Sequence, residues 1–424
     1  MASGRKAIPK LAFNGKNVNT ALADYLESVT YTDVASGSSD TIQIELQNIT
    51  LKWLKNWYPS KGDRIAGSIR FMDWDAQGKN KILACGVFIL DEIKFGGGPL
   101  KGSFGATALP ANSSIKTLER TQTWKKVTLK GIAEVIAKRY GLKLSYTAET
   151  IKITSMEQSQ QSDSAFLYKL CEDYDLAMKI YNKKIVIYDQ TTMEKKKART
   201  TLTRESFIDD RWEYSDELEG SYTGARISYK AGKSNKEISI YLGVIAEKAK
   251  GSRVLRINES ADSVADAYYK AAAAVNKANQ QMTTLSGSIW PNPSICAGAT
   301  VQVTGFGKMS GKYYIDKSTM SVSENGTSQQ VEMHKCQKRL KHNTKPEAAA
   351  ATSSHKVGDI VQFAGGKHYV SSYASAKGYT AKAGPAKITL GPDSAGNGKA
   401  HPWHLIHTDK TSNVYGWVDE GSFS

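Results

Sequence analysis

Three of the seven histidines, His401, His404 and His407, recur at every third position of HPWHLIHTD. Imidazole is a common zinc ligand, but a metal centre needs three or four ligands that converge on one ion. On a strand, alternate side chains share a face, so His401, Trp403 and His407 point one way and His404 the other. His401 and His407 would also lie about 20 Å apart unless the chain bends at Pro402. The spacing therefore favours packing or ligand-surface histidines over a metal site.

Nucleophilic chemistry has little support in the cysteine pattern. A cysteine peptidase needs a nucleophilic thiol with a histidine partner, whereas the cysteines are scattered without a CxxC pair and lie mostly in apolar or strand-like contexts. We predict four reduced, mostly buried thiols and synthesis in a reducing compartment. The four are Cys85, Cys171, Cys296 and Cys336.

Acid pairs are the remaining catalytic candidates. Asp209-Asp210 and Asp216-Glu217 could serve a glycosidase, but adjacent acids in a polar loop are usually solvated. The chain contains no GxSxG, HExxH or P-loop motif. The sequence therefore predicts a protein that is not an enzyme and that has no catalytic residues, metal or cofactor.

Length and charge set broader limits. The 424 residues are 40% hydrophobic and 23% charged, which predicts about two to four globular domains. No apolar stretch predicts a signal peptide or a membrane span. The net charge of +16 is compatible with nucleic acid, an anionic cell wall or acidic protein partners. No zinc finger, helix-turn-helix or RNP pattern points to specific nucleic-acid recognition.

Residues 1–115 read as a β-rich domain. From Asp40 the apolar residues of DTIQIELQ occupy every second position, as in a strand with one buried face. Similar segments follow at 64–71 and 86–93.

Residues 116–192 form a small α/β insertion in this reading. Thr128 is a plausible N-cap and Gly141 a C-terminal glycine for a helix with one apolar face. Ser162-Asp163 can cap a second helix. Two strands flanking Asn182-Lys183 predict a hairpin.

Residues 193–340 return to strands around one long helix, for which Ser260 or Asp262 is the expected cap. A faint echo relates this region to the first. Gly62-Asp63-Arg64-Ile65 before a GVFILD strand resembles Gly298-Ala299-Thr300-Val301 before a GKYYID strand. The spacing between the two parts differs, so both chance and two related β-domains stay open.

The polar, alanine-rich stretch from Lys338 to His355 predicts a linker, and the domain division assigns residues 341–355 to it. Residues 356–424 then alternate short strands with glycine-rich turns, which is typical of a small barrel.

Several segments, taken in order, resemble the late control protein D family of contractile-tail baseplate hubs over roughly residues 8–340. They are DTIQIEL, the segment from Trp53 to Asp63, RTQTW before the first capped helix, QSDSAFLYKLCEDYDLAMKI, and ATVQVTGFGKMSGKYYID. The resemblance implies a mainly β chain with a small α/β insertion and two β-barrel-like hub domains.

The family resemblance also implies a function. Three chains would form a homotrimeric ring of six barrels that adapts a sixfold tail tube to a threefold spike. Its partners would be the tube protein, the spike protein and other baseplate proteins, in the tail of a virion or tail-like particle assembled in the host cytoplasm. The alternative is a tail-associated cell-wall hydrolase or a cell-wall binding protein.

The C-terminal region resembles small bacterial SH3-like domains through VGDIVQF, HYVSS, HPWHLIH and VYGWV. Such modules often bind the bacterial cell wall. In the competing reading, the aromatic side chains fill the core of the small barrel or dock another tail protein. A binding or docking role would use a surface of aromatic and histidine side chains. The expected surface comprises Tyr369, His401, Trp403, His404, His407, Tyr415 and Trp417.

Overall fold

The computed structural model describes residues 5–108, 114–231, 236–261, 263–344 and 355–423. The chain divides into two units, Met1–Pro346 and Glu347–Ser424, each with its own sheets. No helix in the described ranges is long and apolar enough to cross a membrane. The mainly β fold predicted from the sequence is confirmed.

The first region of unit 1 is a curled antiparallel sheet. Ile42, Ile44 and Leu46 of the predicted strand are all buried, as their alternation requires. The elements are β1 (Lys6–Phe13), β2 (Lys16–Asn17), α1 (Asn19–Leu22), β3 (Leu26–Val34), β4 (Thr41–Gln47), β5 (Arg64–Met72), β6 (Lys81–Gly96) and β7 (Lys101–Thr107).

The insertion that follows has its own hydrophobic core. Thr128 and Ser162 cap its two main helices by accepting hydrogen bonds from the amides of Gly131 and Ala165, which confirms both predicted caps. The elements are α2 (Ser114–Thr117), β8 (Glu119–Thr128), α3 (Leu129–Arg139), β9 (Lys143–Thr147), β10 (Lys152–Ser162), α4 (Asp163–Asp173), β11 (Leu176–Tyr181), β12 (Lys184–Asp189) and α5 (Gln190–Lys195).

The predicted hairpin at Asn182-Lys183 is present as β11 and β12. Both turn residues have positive φ, at 45° and 59°, as a two-residue type I′ turn requires.

The third region contains the remaining elements of unit 1. Its helix is capped by Ser263, which accepts from the amide of Asp266, so the expected cap at Ser260 is wrong; the alternative, Asp262, lies outside the described residues. The elements are β13 (Thr201–Leu202), β14 (Phe207–Asp216), β15 (Gly224–Ala231), β16 (Lys236–Gly243), β17 (Val254–Ile257), α6 (Val264–Gln280), β18 (Thr283–Ile289), β19 (Thr300–Val303), β20 (Gly311–Ser323) and β21 (Gly326–Lys335).

One strand joins the two β-rich regions. A 13-stranded sheet runs in the order β14-β18-β21-β20-β3-β4-β7-β6-β5-β1-β2, with β19 beside β20 and β13 beside β19. The register of β20 against β21 shifts between Ile315 and Lys317. Before this bulge, Tyr313 and Ile315 lie in the core of the third region. After it, Met320 and Val322 lie in the core of the first region. The bulge thus lets one strand serve two cores.

Helix α6 packs on a three-stranded sheet, β16-β15-β17, that is separate from the large sheet. The helix and this smaller sheet share an alanine-rich core. Small side chains allow the helix to approach those strands closely.

The domain boundaries at residues 115 and 192 stay predictions.

The predicted linker begins later than the polar composition indicated. Leu340 is buried, the side chain of Arg339 is 8% exposed, and the side-chain oxygen and amide of Asn276 bond the backbone of Leu340. The polar composition wrongly indicated a linker here because Arg339 is paired with Asp175 and Glu194 inside unit 1. Residues 345–354 of the predicted linker lie outside the described residues.

A buried lysine connects the insertion to the first region. The Lys179 ammonium on β11 lies 2.5 Å from Asp33 and 3.1 Å from Asp40, and it donates to the carbonyl of Val34. The hydroxyl of Tyr31 also donates to Asp40. Burial raises the pKa of Asp40 to about 6 although Lys179 opposes the shift.

A buried histidine connects β21 to the bulge and to α5. The His334 ring lies 2.7 Å from the carboxylate of Asp316 and 3.5 Å from that of Glu194. Burial by itself lowers the pKa of His334, but hydrogen bonds to Asp316 and Glu194 outweigh burial and raise it.

We expect this raised pKa to make stability depend on pH. The stabilisation is fully present below the unfolded value near 6.5 and is lost as pH rises through the higher folded pKa of His334. Urea unfolding of wild type and His334→Gln, measured from pH 6 to 9, should show a steeper decline for wild type. Equal slopes would contradict the assignment.

Candidate functional site

Unit 2 places six of the seven predicted surface residues on strands of one six-stranded sheet, whereas His401 lies just before the strand that begins at Trp403. Its strands are ordered β22-β25-β26-β27-β23-β24 and enclose an apolar core. They are β22 (Ile360–Phe363), β23 (Gly366–Tyr369), β24 (Gly378–Ala381), β25 (Gly384–Leu390), β26 (Trp403–His407) and β27 (Tyr415–Val418).

Trp403 does not belong to the surface, which corrects the sequence expectation. Its side chain is 2% exposed and packs in the core with Leu405 and Phe423, while its indole nitrogen donates to Glu420. From Trp403 to Ile406 the alternation along β26 is as predicted, but the tryptophan lies on the buried side of the sheet, and His407 at the end of the strand is exposed. A sequence pattern separates the two faces without saying which one is covered.

His401 and Tyr369 form a packed pair at the edge of the core. Their rings stack with centroids 3.4 Å apart, and Nδ1 of His401 lies 2.5 Å from the carboxylate of Asp419. His401 is 9% exposed, so only the half-buried Tyr369 of this pair can contribute to a binding surface.

His404, Tyr415 and Trp417 come together on the opposite, outer side of the sheet. The His404 ring lies edge-on to Trp417 at 5.3 Å and to Tyr415 at 5.8 Å. The hydroxyl of Thr389 lies 2.6 Å from Nδ1 of His404. Burial lowers the pKa of His404, so this histidine is neutral near pH 7.

A glycine makes this arrangement possible. Gly416, between Tyr415 and Trp417, has a φ of 153°, and an added Cβ would lie 2.6 Å from the carbonyl oxygen of Tyr369. The absence of a side chain lets β27 approach β23 at this point.

The sequence reading missed the apolar part of this surface. Cross-strand register aligns Trp417 with His404 and Leu390, and Tyr415 with Ile406, Lys387 and Ile360. Alternation in VGDIVQF already placed Ile360 opposite Val361 and could have identified it. We call this set the outer face: Ile360, Lys387, Leu390, His404, Ile406, Tyr415 and Trp417.

The outer face is accessible and largely apolar. Tyr415 is 64% exposed and Ile360 is 70% exposed. His407 is exposed, and its Nδ1 lies 2.8 Å from the carbonyl of Asp409. Among the described residues, no group of three or more His, Cys, Asp or Glu could hold a metal ion.

The acid and cysteine candidates for catalysis in unit 1 have surroundings that are typical of structural residues. Asp210 accepts from Arg204 and from the indole of Trp212, and these bonds lower its pKa to about 2. Asp209 pairs with Arg211 at 3.0 Å. Burial raises the pKa of Cys296, which keeps this thiol protonated and poorly nucleophilic.

Comparison with solved structures indicates a class of protein. The fold is similar to the 43 kDa tail protein of prophage MuSo2 from Shewanella oneidensis, with a TM-score of 0.58 and 12% identity over 78% of this chain and 98% of that one. The chain therefore has the fold of a phage tail protein.

Among curated proteins the chain is similar to two probable baseplate hub proteins. It is 26% identical over 235 residues to that of Escherichia phage P2 and 25% identical over 232 residues to that of Escherichia phage 186. Each match covers 53% of this chain and 57% of the relative, so the chain spans little more than half the length of the curated relatives. No family model matches. The resemblance to tail hub proteins is confirmed in this general form.

Proposed function

We propose that this protein is a structural baseplate hub subunit of a contractile phage tail or tail-like particle. The single observation that carries the proposal is the 13-stranded sheet in which β20 serves two separate β-rich cores. Similarity to probable baseplate hub proteins over about half the chain supports the same role.

The proposed assembly is a homotrimer. The two β-rich regions of unit 1 would give six similar regions in a ring of three chains. This sixfold arrangement matches a sixfold tail tube on one side. The threefold axis of the same ring matches a trimeric spike. The tube, the spike and other baseplate proteins are the expected partners, and the work is done by interfaces rather than by bond making.

We expect the purified chain to have a mass about three times 46.4 kDa by mass photometry. Purified bacterial cell wall should stay intact in its presence. A strictly monomeric chain, even with tube protein added, would contradict the hub. Wall cleavage lost in Asp216→Asn or Cys296→Ser would favour the hydrolase alternative.

For unit 2 we propose a binding role for the outer face, with a cell wall or another tail protein as its ligand. The exposed, flat ring of Tyr415 beside His404 and Trp417 favours this role, because aromatic faces offer stacking area to sugars and peptides. The SH3-like identity of the unit stays a proposal.

Sedimentation with bacterial cell walls tests the wall-binding version. We expect residues 355–424 to pellet with walls, and Tyr415→Ser to reduce the bound fraction severalfold because stacking area is lost. Tyr373→Ser, which removes an exposed tyrosine from the loop after β23, is the matched control. Failure of the wild-type unit to pellet would favour docking to a tail protein.

A further inference from the structure

An apolar cavity of about 300 Å³ lies at one end of the first β-rich region. The segment from the end of β1 through α1 forms one wall, and the aromatic segment from the single 3-10 turn at residues 52–54 to Asp63 forms the other. Its lining is Phe13, Val18, Ala21, Leu22, Trp53, Trp57, Tyr58, Pro59 and Asp63.

The cavity is built from packed aromatic rings. Trp53 and Trp57 meet edge-on at 5.3 Å, and Tyr25 contacts both. Tyr58 at the mouth is 57% exposed. The single acidic residue in the lining, Asp63, accepts hydrogen bonds from Asn14 and from the amide of Ser60. The cavity therefore offers an apolar pocket for a side chain.

Basic residues flank, in the sequence, the residues that line this pocket. The Lys52 ammonium lies 5.1 Å from the ring centroid of Trp57. Lys55, Lys61 and Arg64, in the same stretch of chain, are exposed and form no ion pair in the part of the chain that the structure describes. An apolar side chain flanked by negative charge is therefore complementary to this pocket and its basic neighbours.

The same chain presents a segment with this chemistry on its surface. Leu218, which is 67% exposed, follows the end of β14 and is flanked by Asp216, Glu217 and Glu219. Hydroxyls of neighbouring residues donate to Asp216 and Glu217, but none of the three carboxylates has an ion pair within the described ranges. We call residues 216–219 the acidic turn.

We propose that the cavity takes up Leu218 from the acidic turn of a second copy of this chain, while Lys55, Lys61 and Arg64 pair with its carboxylates. Two different surfaces meet in such a contact, so it is heterologous and generates a ring when the rotation between copies closes. The inference deepens the proposed homotrimer by naming the residues that join its subunits.

A labelled peptide tests the pocket directly on the full-length protein. The probe is acetyl-EYSDELEGS, residues 213–221, measured by fluorescence anisotropy. We expect saturable binding that weakens with added salt and falls at least tenfold in the K55E/K61E variant. Replacing leucine by asparagine in the peptide should cause a similar loss. K125E/K126E, on exposed lysines of β8, is the control and should bind like wild type.

Charge exchange tests the contact between copies. We expect E217K/E219K and K55E/K61E each to reduce self-association in mass photometry, and the variant with all four substitutions to restore it. If wild type is oligomeric and both double variants stay so, the inference is overturned while the hub proposal stands. If wild type is monomeric, the hub proposal fails, and the peptide decides the pocket: absent binding up to millimolar peptide overturns the inference.

Discussion

Replacing Lys179 by methionine is expected to lower the free energy of unfolding by about 3–5 kcal/mol. Methionine has a similar volume but removes the cation that lies 2.5 Å from Asp33 and 3.1 Å from Asp40. The two buried carboxylates would then face each other without a cation, although Tyr31 still donates to Asp40 and the amide of Ala297 to Asp33. Because Lys179 is on the insertion and both acids are on the first β-rich region, the loss should loosen the contact between them.

Guanidinium unfolding followed by circular dichroism measures this loss. Lys101→Met is the matched control, because Lys101 pairs with Glu27 at the same kind of distance, 2.7 Å, on a partly exposed surface. Exposed pairs contribute about 0–1 kcal/mol.

The Lys179→Met defect should shrink near pH 5. The pKa of Asp40 is raised to about 6 by burial, so the folded state retains its proton there and no longer needs a cation. A loss no larger than that of Lys101→Met, or one independent of pH, would contradict the account.

Removing the carboxylate of Asp163 is expected to cost about 3 kcal/mol. The side chain is fully buried at the start of α4, where it accepts from Arg139 at 2.5 Å and from the hydroxyl of Tyr140 at 2.7 Å. The guanidinium of Arg120 lies 3.3 Å away. In Asp163→Ala these donors lose their shared acceptor, so helices α3 and α4 should separate locally.

Hydrogen exchange across α3 and α4, together with acid unfolding, measures the effect. Burial raises the pKa of Asp163, but bonds from Gln158, Arg139 and Tyr140 outweigh burial and lower it. Its stabilisation is therefore present above the unfolded value near 3.9 and is lost as pH falls through the lower folded value.

Asp75→Ala, which breaks a surface pair with Lys81 at 2.7 Å, should change stability by less than about 1 kcal/mol. If Asp163→Ala resembles this control in both measurements, the buried cluster does not hold the insertion together.

Local signals in the sequence were sufficient for most individual elements. Alternation located β4, and the caps at Thr128 and Ser162 located α3 and α4, because each depends on residues within about one helical turn or one strand. The same reasoning assigned His404 and Trp403 to opposite faces of β26.

The features that local sequence signals could not predict all depend on pairings between residues that are distant in the sequence. The bulge in β20 and its pairing with β3 join residues almost the whole length of unit 1 apart, such as Thr319 with Thr32. Lys179 and Asp33 also meet only in the folded chain, although each looks like an ordinary surface residue in the sequence. The outer face needed the cross-strand register of unit 2, which no single strand pattern contains.

Class averages of the purified protein by electron cryo-microscopy test the central claim most directly. The hub proposal predicts end-on views with threefold symmetry, in which six β-rich lobes surround a channel. Averages that show single chains, or rings without threefold symmetry, would contradict it.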